Sequence, residues 1–526
     1  MHNMQIVNPI FFVRCMEPRD PDLDLLRTMD KQLDLVNCYG FPATFLLQYD
    51  SLIRDEYVDR IKQKLAANSE VGGWFEIVQP LVEKAGIPWR GREGFAWDWH
   101  SDVGFSVGYT PDERRLLVDI FMDEFRQRFG YYPRSVGSWV IDAVSLAYMA
   151  DQYGIEASCN CRDQWGTDGY TLWGGYYGQG YYPSRYNMFC PAQTLENQIP
   201  VPTFRMLGSD PIYQYDIGLF DSNGQMNPSE NQKVITLEPV YSDAGGGGNP
   251  AWVDWYFKEN FAPGAAFGYT QVGQENSFGW ELMKEGLQYQ FSVMDRLNKE
   301  GRLQIWTLRD TGRWYKKNYA RTASTSISGM TDWQNKNRKS LWYDSCNYRV
   351  NIYEDNGCVW IRDIHKFDER YPERYLTEVC ESHLMMYDNL PLIDGNRWSR
   401  NNIRAGLYFS VLTADKQMEP LKGKMQAAYP SAGNAEITVT DGTRVLRILC
   451  MEDCMRFTLE APEEENLILD FRDGAGALEG TCIDGDYIRY KHNQYPYSLR
   501  VAGVSIQKSP NGIRLISQKP IIEFLY

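Results

Sequence analysis

The chain reads as an α/β protein: a parallel (β/α)7-like barrel over residues 1–325, followed by an all-β sandwich domain over residues 326–526. Three observations predict this. From residue 5 to about residue 160, short apolar runs alternate with stretches whose apolar residues recur at helical spacing, which is the grammar of parallel strands joined by crossover helices. Carboxylates stand directly after several of the apolar runs, where α/β barrels keep their catalytic groups. After about residue 325 the helical spacing stops, and short alternating segments appear between Asp-Gly, Asn-Gly and Pro signals. A length of 526 residues exceeds one ordinary core and fits two or three domains.

The elements follow in order. Gln5–Cys15 is the first strand, closed by Glu17 and Asp20. Leu23–Val36 is a helix with Leu25, Leu26, Met29, Leu33 and Val36 on one stripe and Gly40 beyond its end. Ala43–Gln48 is the second strand, and Arg54–Ala67 a helix. Glu70–Ile77 is the third strand, with Glu76 near its end and a helix to Lys84 after it. Thr110-Pro111-Asp112-Glu113 starts a helix with a capping box and Pro in the first turn, and Gly130 stops it. Val136–Ile141 is a buried strand ended by Asp142. Ala143–Tyr153 is the next helix, stopped by Gly154, and Ile155–Cys159 the next strand. Asp142 has two readings: a helix cap, or a catalytic carboxylate at a strand end.

The middle is less regular. Gly169–Phe189 is rich in Gly and Tyr and too turn-prone for a core strand. It reads as a loop over the barrel mouth, with Trp173 and one or more of Tyr176, Tyr177, Tyr181 and Tyr182 walling a pocket; a packed structural loop is the other reading. Val234–Tyr241 predicts a strand carrying Glu238, and Gly245–Gly248 a loop tip. Ala266–Gln271 predicts a strand, Phe278–Leu297 a helix, and Leu303–Leu308 a last strand with Asp310 after it. Glu76, Asp142 and Asp310 are expected on one face. Tyr348–Tyr353, Cys358–Asp363, Ala435–Val439 and Arg444–Cys450 are among the β segments beyond.

Composition excludes several functions. A net charge of −15 argues against nucleic acid, since phosphate binding wants clustered Lys and Arg. Aromatics make up 14% of the chain, with 16 Trp and 35 Tyr, and flat aromatic faces over a wet groove suit sugar rings. No run approaches the roughly 18 apolar residues of a membrane helix. The N-terminus lacks a secretory pattern, so a cytoplasmic location with no membrane partner is expected. The 11 Cys show no metal or disulfide spacing. There is no nucleophile elbow, phosphate loop or dinucleotide fingerprint, so no cofactor is expected. The five His (His2, His100, His365, His383 and His492) include no pair at ligand spacing, so no metal is expected either. An oligomer is compatible with the sequence.

Three segments carry a resemblance: EVGGWFEI at 70–77, SWVID at 138–142 and YTQVGQENSFGW at 269–280. Together with the barrel-then-sandwich order, they resemble the glycoside hydrolase/deacetylase superfamily, and within it the retaining glycosidases of glycoside hydrolase family 57. The resemblance implies a third-strand glutamate at Glu76, a nucleophile motif at Trp139 and Asp142, and a later motif at Glu275, Phe278, Gly279 and Trp280. The chain departs from the pattern in three places. Asp142 stands for a Glu, Val272-Gly273-Gln274 stand where the family has an Asp pair, and FFVRCMEP stands where it has a His motif.

Glycoside hydrolysis needs one carboxyl group to attack or stabilise the anomeric carbon and one to protonate the leaving oxygen. Asp142 is assigned as nucleophile or base and Glu275 as general acid, with Glu76 completing the set by holding sugar hydroxyls. Trp139, Trp173, Tyr177, His100, Glu238, Trp280, Asp310 and Arg313 are assigned to substrate binding. The expected function is hydrolysis of an oligo- or polysaccharide. Two alternatives stand beside it: a catalytically silent carbohydrate-binding protein on the same scaffold, and a deacetylase-like carbohydrate esterase.

Overall fold

The computed structural model describes residues 4–160, 175–228, 235–242, 245–462, 464–518 and 521–526. The first part is a nearly closed sheet wrapped by helices, organised around β1 (Gln5–Val13), whose residues are buried from Ile6 onward. Its first half pairs in parallel with β8 (Gly268–Val272), Gln5 opposite Gly268. Its second half pairs with β2 (Thr44–Leu47), Val13 opposite Leu47. From β2 the parallel sheet continues through β3 (Glu70–Trp74), β4 (Ser135–Gly137), β5 (Ala157–Asn160) and β7 (Thr203–Arg205). A short antiparallel strand, β6 (Gly180–Tyr181), adds to β7. The remaining seam is bridged by side chains: the rings of Phe204 on β7 and Tyr269 on β8 lie 4.8 Å apart.

The crossover helices obey their sequence signals. Helix α1 (Leu25–Tyr39) begins where the Asp24 carboxylate accepts the Arg27 N–H, and it ends at Gly40 with φ 66°. It buries Leu25, Met29, Leu33 and Val36. The one-turn α2 (Tyr49–Leu52), then α3 (Asp55–Lys64) and α4 (Gln79–Lys84), follow their strands. Helix α5 (Pro111–Phe129) carries the full Thr110–Glu113 capping box. It packs closely because β3 offers glycine: a Cβ on Gly73 would meet the Phe121 ring at 2.6 Å. Gly72 does the same for the neighbouring strand, since a Cβ there would meet the Ser135 carbonyl of β4 at 2.5 Å. Helix α6 (Ala143–Tyr153) is capped by Asp142, and α7 (Pro250–Asn260) and α8 (Trp280–Lys299) flank β8.

Three expected strands differ. The strand expected over Val136–Ile141 ends at Gly137, so Asp142 stands five residues beyond β4, directly before α6. Residues 235–242 form no strand; Thr236 makes only an isolated bridge to Ser209, and Leu237 N–H donates to the Gly208 carbonyl. The expected strand at Leu303–Leu308 shrinks to β9 (Gln304–Ile305), paired with Ile6 and Val7 at the start of β1. Thr307 then caps α9 (Leu308–Asn318) by accepting the Asp310 N–H.

From Thr325 onward the chain is antiparallel. One ten-stranded sheet runs from Thr325–Gly329 through Arg338–Asp344, Tyr348–Asp355 and Cys358–Lys366 to Val504–Ser509, and a second has eight strands. They share one apolar core that includes Ile352, Ile361, Phe409, Phe457, Leu469 and Phe524. No described helix is long and apolar enough to cross a membrane.

Candidate active site

The carboxyl ends of β1, β2, β3 and β8 converge on one guanidinium. Arg14 follows β1 directly and is buried, at 1% exposure. Its backbone N–H donates to Asn276 Oδ1 (2.9 Å), and Asn276 Nδ2 donates back to the Arg14 carbonyl (2.8 Å), which locks the ends of β1 and β8 together. Arg14 Nη2 lies 2.9 Å from Glu76 Oε2, and Nη1 lies 2.9 Å from Glu275 Oε2. Gln48, at the end of β2, donates to the same Glu76 oxygen at 2.8 Å. The guanidinium lies over the Trp97 ring, 3.9 Å from its centroid. Beneath, Phe12 stacks on Trp74 at 4.1 Å and Trp139 meets both rings edge-on.

Burial and neighbouring charges set the state of Glu76. Burial raises the Glu76 pKa, Arg14 pulls it down, Glu275 pushes it up again, and the result is a value of about 7. Burial alone would lower the Arg14 pKa, but Glu275 and Glu76 hold it above its ordinary value. At neutral pH the site therefore holds a permanent cation and a glutamic acid poised to give or take a proton. Arg14 Nε, Glu76 Oε1, Gln48 Oε1 and Trp97 Nε1 are buried with no hydrogen-bond partner among the described residues. Buried polar atoms in this state mark a place where a ligand or water completes the network.

Of the three carboxylates assigned to catalysis, Glu76 and Glu275 share the Arg14 guanidinium, whereas Asp142 is held by a different set of partners. One Asp142 oxygen accepts from Ser106 Oγ (2.5 Å) and Ser145 Oγ (2.6 Å), the other from Ser145 N (3.0 Å) and Arg114 Nη1 (3.2 Å). Burial would raise its pKa, but Arg114 and the two serines hold it below the usual range. None of these groups is among the partners of Glu76 named above. Beside it, Glu373 from the β part accepts the N–H groups of Ala143 (3.1 Å) and Met188 (2.8 Å). Burial first, and then Asp142, push the Glu373 pKa up to about 8.

The other sequence-predicted residues scatter. Trp139 is a core ring under the mouth, and Trp280 is half-buried in the first turn of α8. Tyr177 stacks on Trp342 at 4.0 Å and bonds Ser209, so it is packed between the two parts of the chain. Tyr176, Tyr181 and Tyr182 likewise bond the backbone of Ala323, Met188 and Tyr319. Trp173 lies outside the described residues. Glu238 is buried in a turn. His100 sits on the loop that carries Trp97. Asp310 and Arg313 lie at the opposite, amino-terminal end of the barrel. There the Leu308 and Arg309 N–H groups donate to Thr44 and Glu70 at the starts of β2 and β3, and Arg313 pairs with Glu156 just before β5. The expected common face for Glu76, Asp142 and Asp310 is therefore not formed, because β9 enters the sheet level with the start of β1.

Sequence reasoning missed Arg14, Gln48 and Trp97. The signal for Arg14 was present: it directly follows the apolar run Pro9–Val13 that closes β1, and a polar residue after an apolar run is what singled out Asp142.

No family model matches the sequence, and no curated protein matches it. Solved structures do. A crystal structure from Parabacteroides distasonis at 1.44 Å, provisionally named a glycoside hydrolase/deacetylase, aligns over 75% of this chain and 89% of its own, with TM-score 0.50 and 15% identity. The likeness is one of fold. Polysaccharide deacetylases, also so named provisionally, from Mycobacterium smegmatis (10% identity, 60% of this chain and 92% of that one, TM-score 0.34) and Pseudomonas aeruginosa PAO1 (10%, 60% and 93%, 0.32) align more weakly. None of the three is named as glycoside hydrolase family 57.

The deacetylase side of this resemblance implies a divalent metal at the mouth. The strand-end residues do not fit one. Arg14 already places a cation between Glu76 and Glu275, Gln48 turns its N–H toward Glu76, and no described histidine stands at these strand ends.

Proposed function

We propose that the chain is a carbohydrate-active hydrolase of the deacetylase-like esterase kind, with Arg14, Glu76 and Glu275 as its working groups. The observation that carries this is the buried Arg14 guanidinium held between two carboxyl groups. A fixed cation stabilises a transition state that develops negative charge, as the tetrahedral oxyanion of acyl hydrolysis does. It opposes the positive charge of an oxocarbenium ion, which a glycosidase must stabilise.

The steps balance without an added group. Glu275 takes a proton from water as the water oxygen bonds to the acyl carbon. The carbonyl oxygen becomes an oxyanion facing Arg14, whose Nε–H is the spare donor. Glu76, protonated, gives its proton to the leaving oxygen as the acyl C–O bond breaks, and the proton on Glu275 restores Glu76. The products are a carboxylic acid and a sugar hydroxyl.

One observation favours glycoside hydrolysis as a second reading. Two carboxyl groups on the two Nη atoms of one guanidinium lie within the roughly 9.5 Å limit for glycosidase pairs. The test is a pair of assays, for acetate and for reducing ends, on O-acetylated xylo-oligosaccharides. Acetate release without new reducing ends is expected, and Arg14→Lys should lower kcat by about 10²–10³-fold. New reducing ends without acetate would move the assignment to the glycosidase. Sugar binding with neither product would leave the silent carbohydrate-binding protein.

A further inference from the structure

The loop that lays Trp97 over Arg14 continues into His100 and Asp102, and there it meets a histidine from the β part of the chain. One ring nitrogen each of His100 and His383 and one carboxylate oxygen of Asp102 lie within 4.8 Å of one another. The two imidazoles stack with centroids 3.9 Å apart, and His383 Nδ1 faces Asp102 Oδ1 at 3.3 Å. These residues are 281 positions apart, so no spacing in the sequence announces the cluster.

The cluster stands on a rigid base. Ser101 N–H donates to the His383 carbonyl (3.0 Å), joining the two segments. Val103 and Gly104 N–H groups both donate to the His100 carbonyl (3.0 and 2.8 Å), which folds His100 and Asp102 into one turn. Gly104 has no room for a side chain, since a Cβ there would meet the Asp98 carbonyl at 2.0 Å. Behind the turn, Asp98 is fully buried, gripped by both prongs of Arg92 at 2.9 Å, and sits 3.3 Å from His100 Nδ1. A carboxylate beside the second ring nitrogen stands where metal-ligating histidines usually find their support.

We propose that His100, Asp102 and His383 form a binding site for one divalent transition metal of the zinc class, separate from the Arg14 site. Two imidazoles and one carboxylate are the borderline donor set that suits Zn²⁺ and Co²⁺, rather than the all-oxygen set of Ca²⁺ or Mg²⁺. Three protein ligands leave one tetrahedral position open. Metal–nitrogen bonds of about 2 Å require the three donors to draw closer than 4.8 Å and the His383 ring to turn out of its stack on His100 so that both in-plane lone pairs meet the ion, and the exposed His383 side chain has the freedom to do this. The ion would tie the Trp97 loop to the β part and so hold the cover over Arg14 in place.

The test uses the full chain, stripped with chelator and titrated with Co²⁺ and Zn²⁺. The wild type should take up one equivalent of Co²⁺ with the visible absorption of a tetrahedral N/O site, and Zn²⁺ should displace it and raise the Tm. His383→Ala removes an exposed side chain, so it should fold as the wild type does by circular dichroism yet lose both signals. Asp98→Asn should weaken the dissociation constant about 10–100-fold. Equal uptake by wild type and His383→Ala would overturn the site, because the metal would then lie elsewhere, for instance on an exposed thiol such as Cys38 or Cys482. Absence of uptake by the wild type would overturn it as well.

Discussion

Glu76→Gln tests whether the mouth holds a costly acid. In the folded chain the Glu76 pKa stands at about 7, against an ordinary 4.5. Below pH 4.5 the residue is protonated whether folded or unfolded, and stability does not depend on it. Between 4.5 and 7 the unfolded chain releases the proton and the folded chain keeps it, so stability falls as pH rises. Above 7 both forms are ionised and the loss levels off. At about 1.4 kcal/mol per pH unit, the rise from 4.5 to about 7 amounts to about 3 kcal/mol. Glutamine keeps the shape, still accepts from Arg14 and Gln48, and does not titrate. Relative to wild type, Glu76→Gln should gain about 3 kcal/mol between pH 4 and pH 8 while losing turnover. Urea unfolding followed by tryptophan fluorescence across that range measures the gain. Parallel stability–pH curves for the two proteins would refute the reasoning, for they would mean that Glu76 titrates alike in the folded and unfolded states. A residue that lowers stability at neutral pH is one that function retains.

Further outcomes are expected. Glu373→Gln should flatten the alkaline side of the stability curve in the same sense, by up to about 5 kcal/mol between pH 4.5 and 8, because the folded pKa of about 8 is again raised; thermal melts at three pH values measure it. Asp142→Asn should cost about 3–5 kcal/mol by leaving Arg114 buried without its ion pair, and kcat per folded molecule should stay at the wild-type value; a loss of kcat with stability unchanged would restore Asp142 to catalysis. Gly72→Ala should destabilise by about 1–3 kcal/mol or more through the clash with the Ser135 carbonyl, measured by the same urea unfolding.

What the sequence determined by itself is local. Alternation of apolar runs with 3.6-residue periodicity dictated a parallel sheet with crossover helices. Capping chemistry set the helix limits at Thr110, Asp142, Gly40 and Gly154, since each satisfies backbone groups within its own turn. Strand-end position picked out Glu76, and the short resemblance picked out Glu275. Tertiary structure decided what those residues do. Asp142 was legible as both cap and catalyst, and only the arrival of Ser106 and Arg114 from the preceding loop and helix filled its remaining valences. Asp310 follows an apolar run, but whether a strand end lies at the top or the bottom of a barrel depends on register, and β9 pairs with the start of β1. Glu76 and Glu275 are 199 residues apart, and their joining by Arg14 follows from β8 and β3 flanking the same central strands. The meeting of His100 with His383 lies further still from any sequence rule, because it requires the β part to fold back on to a barrel loop.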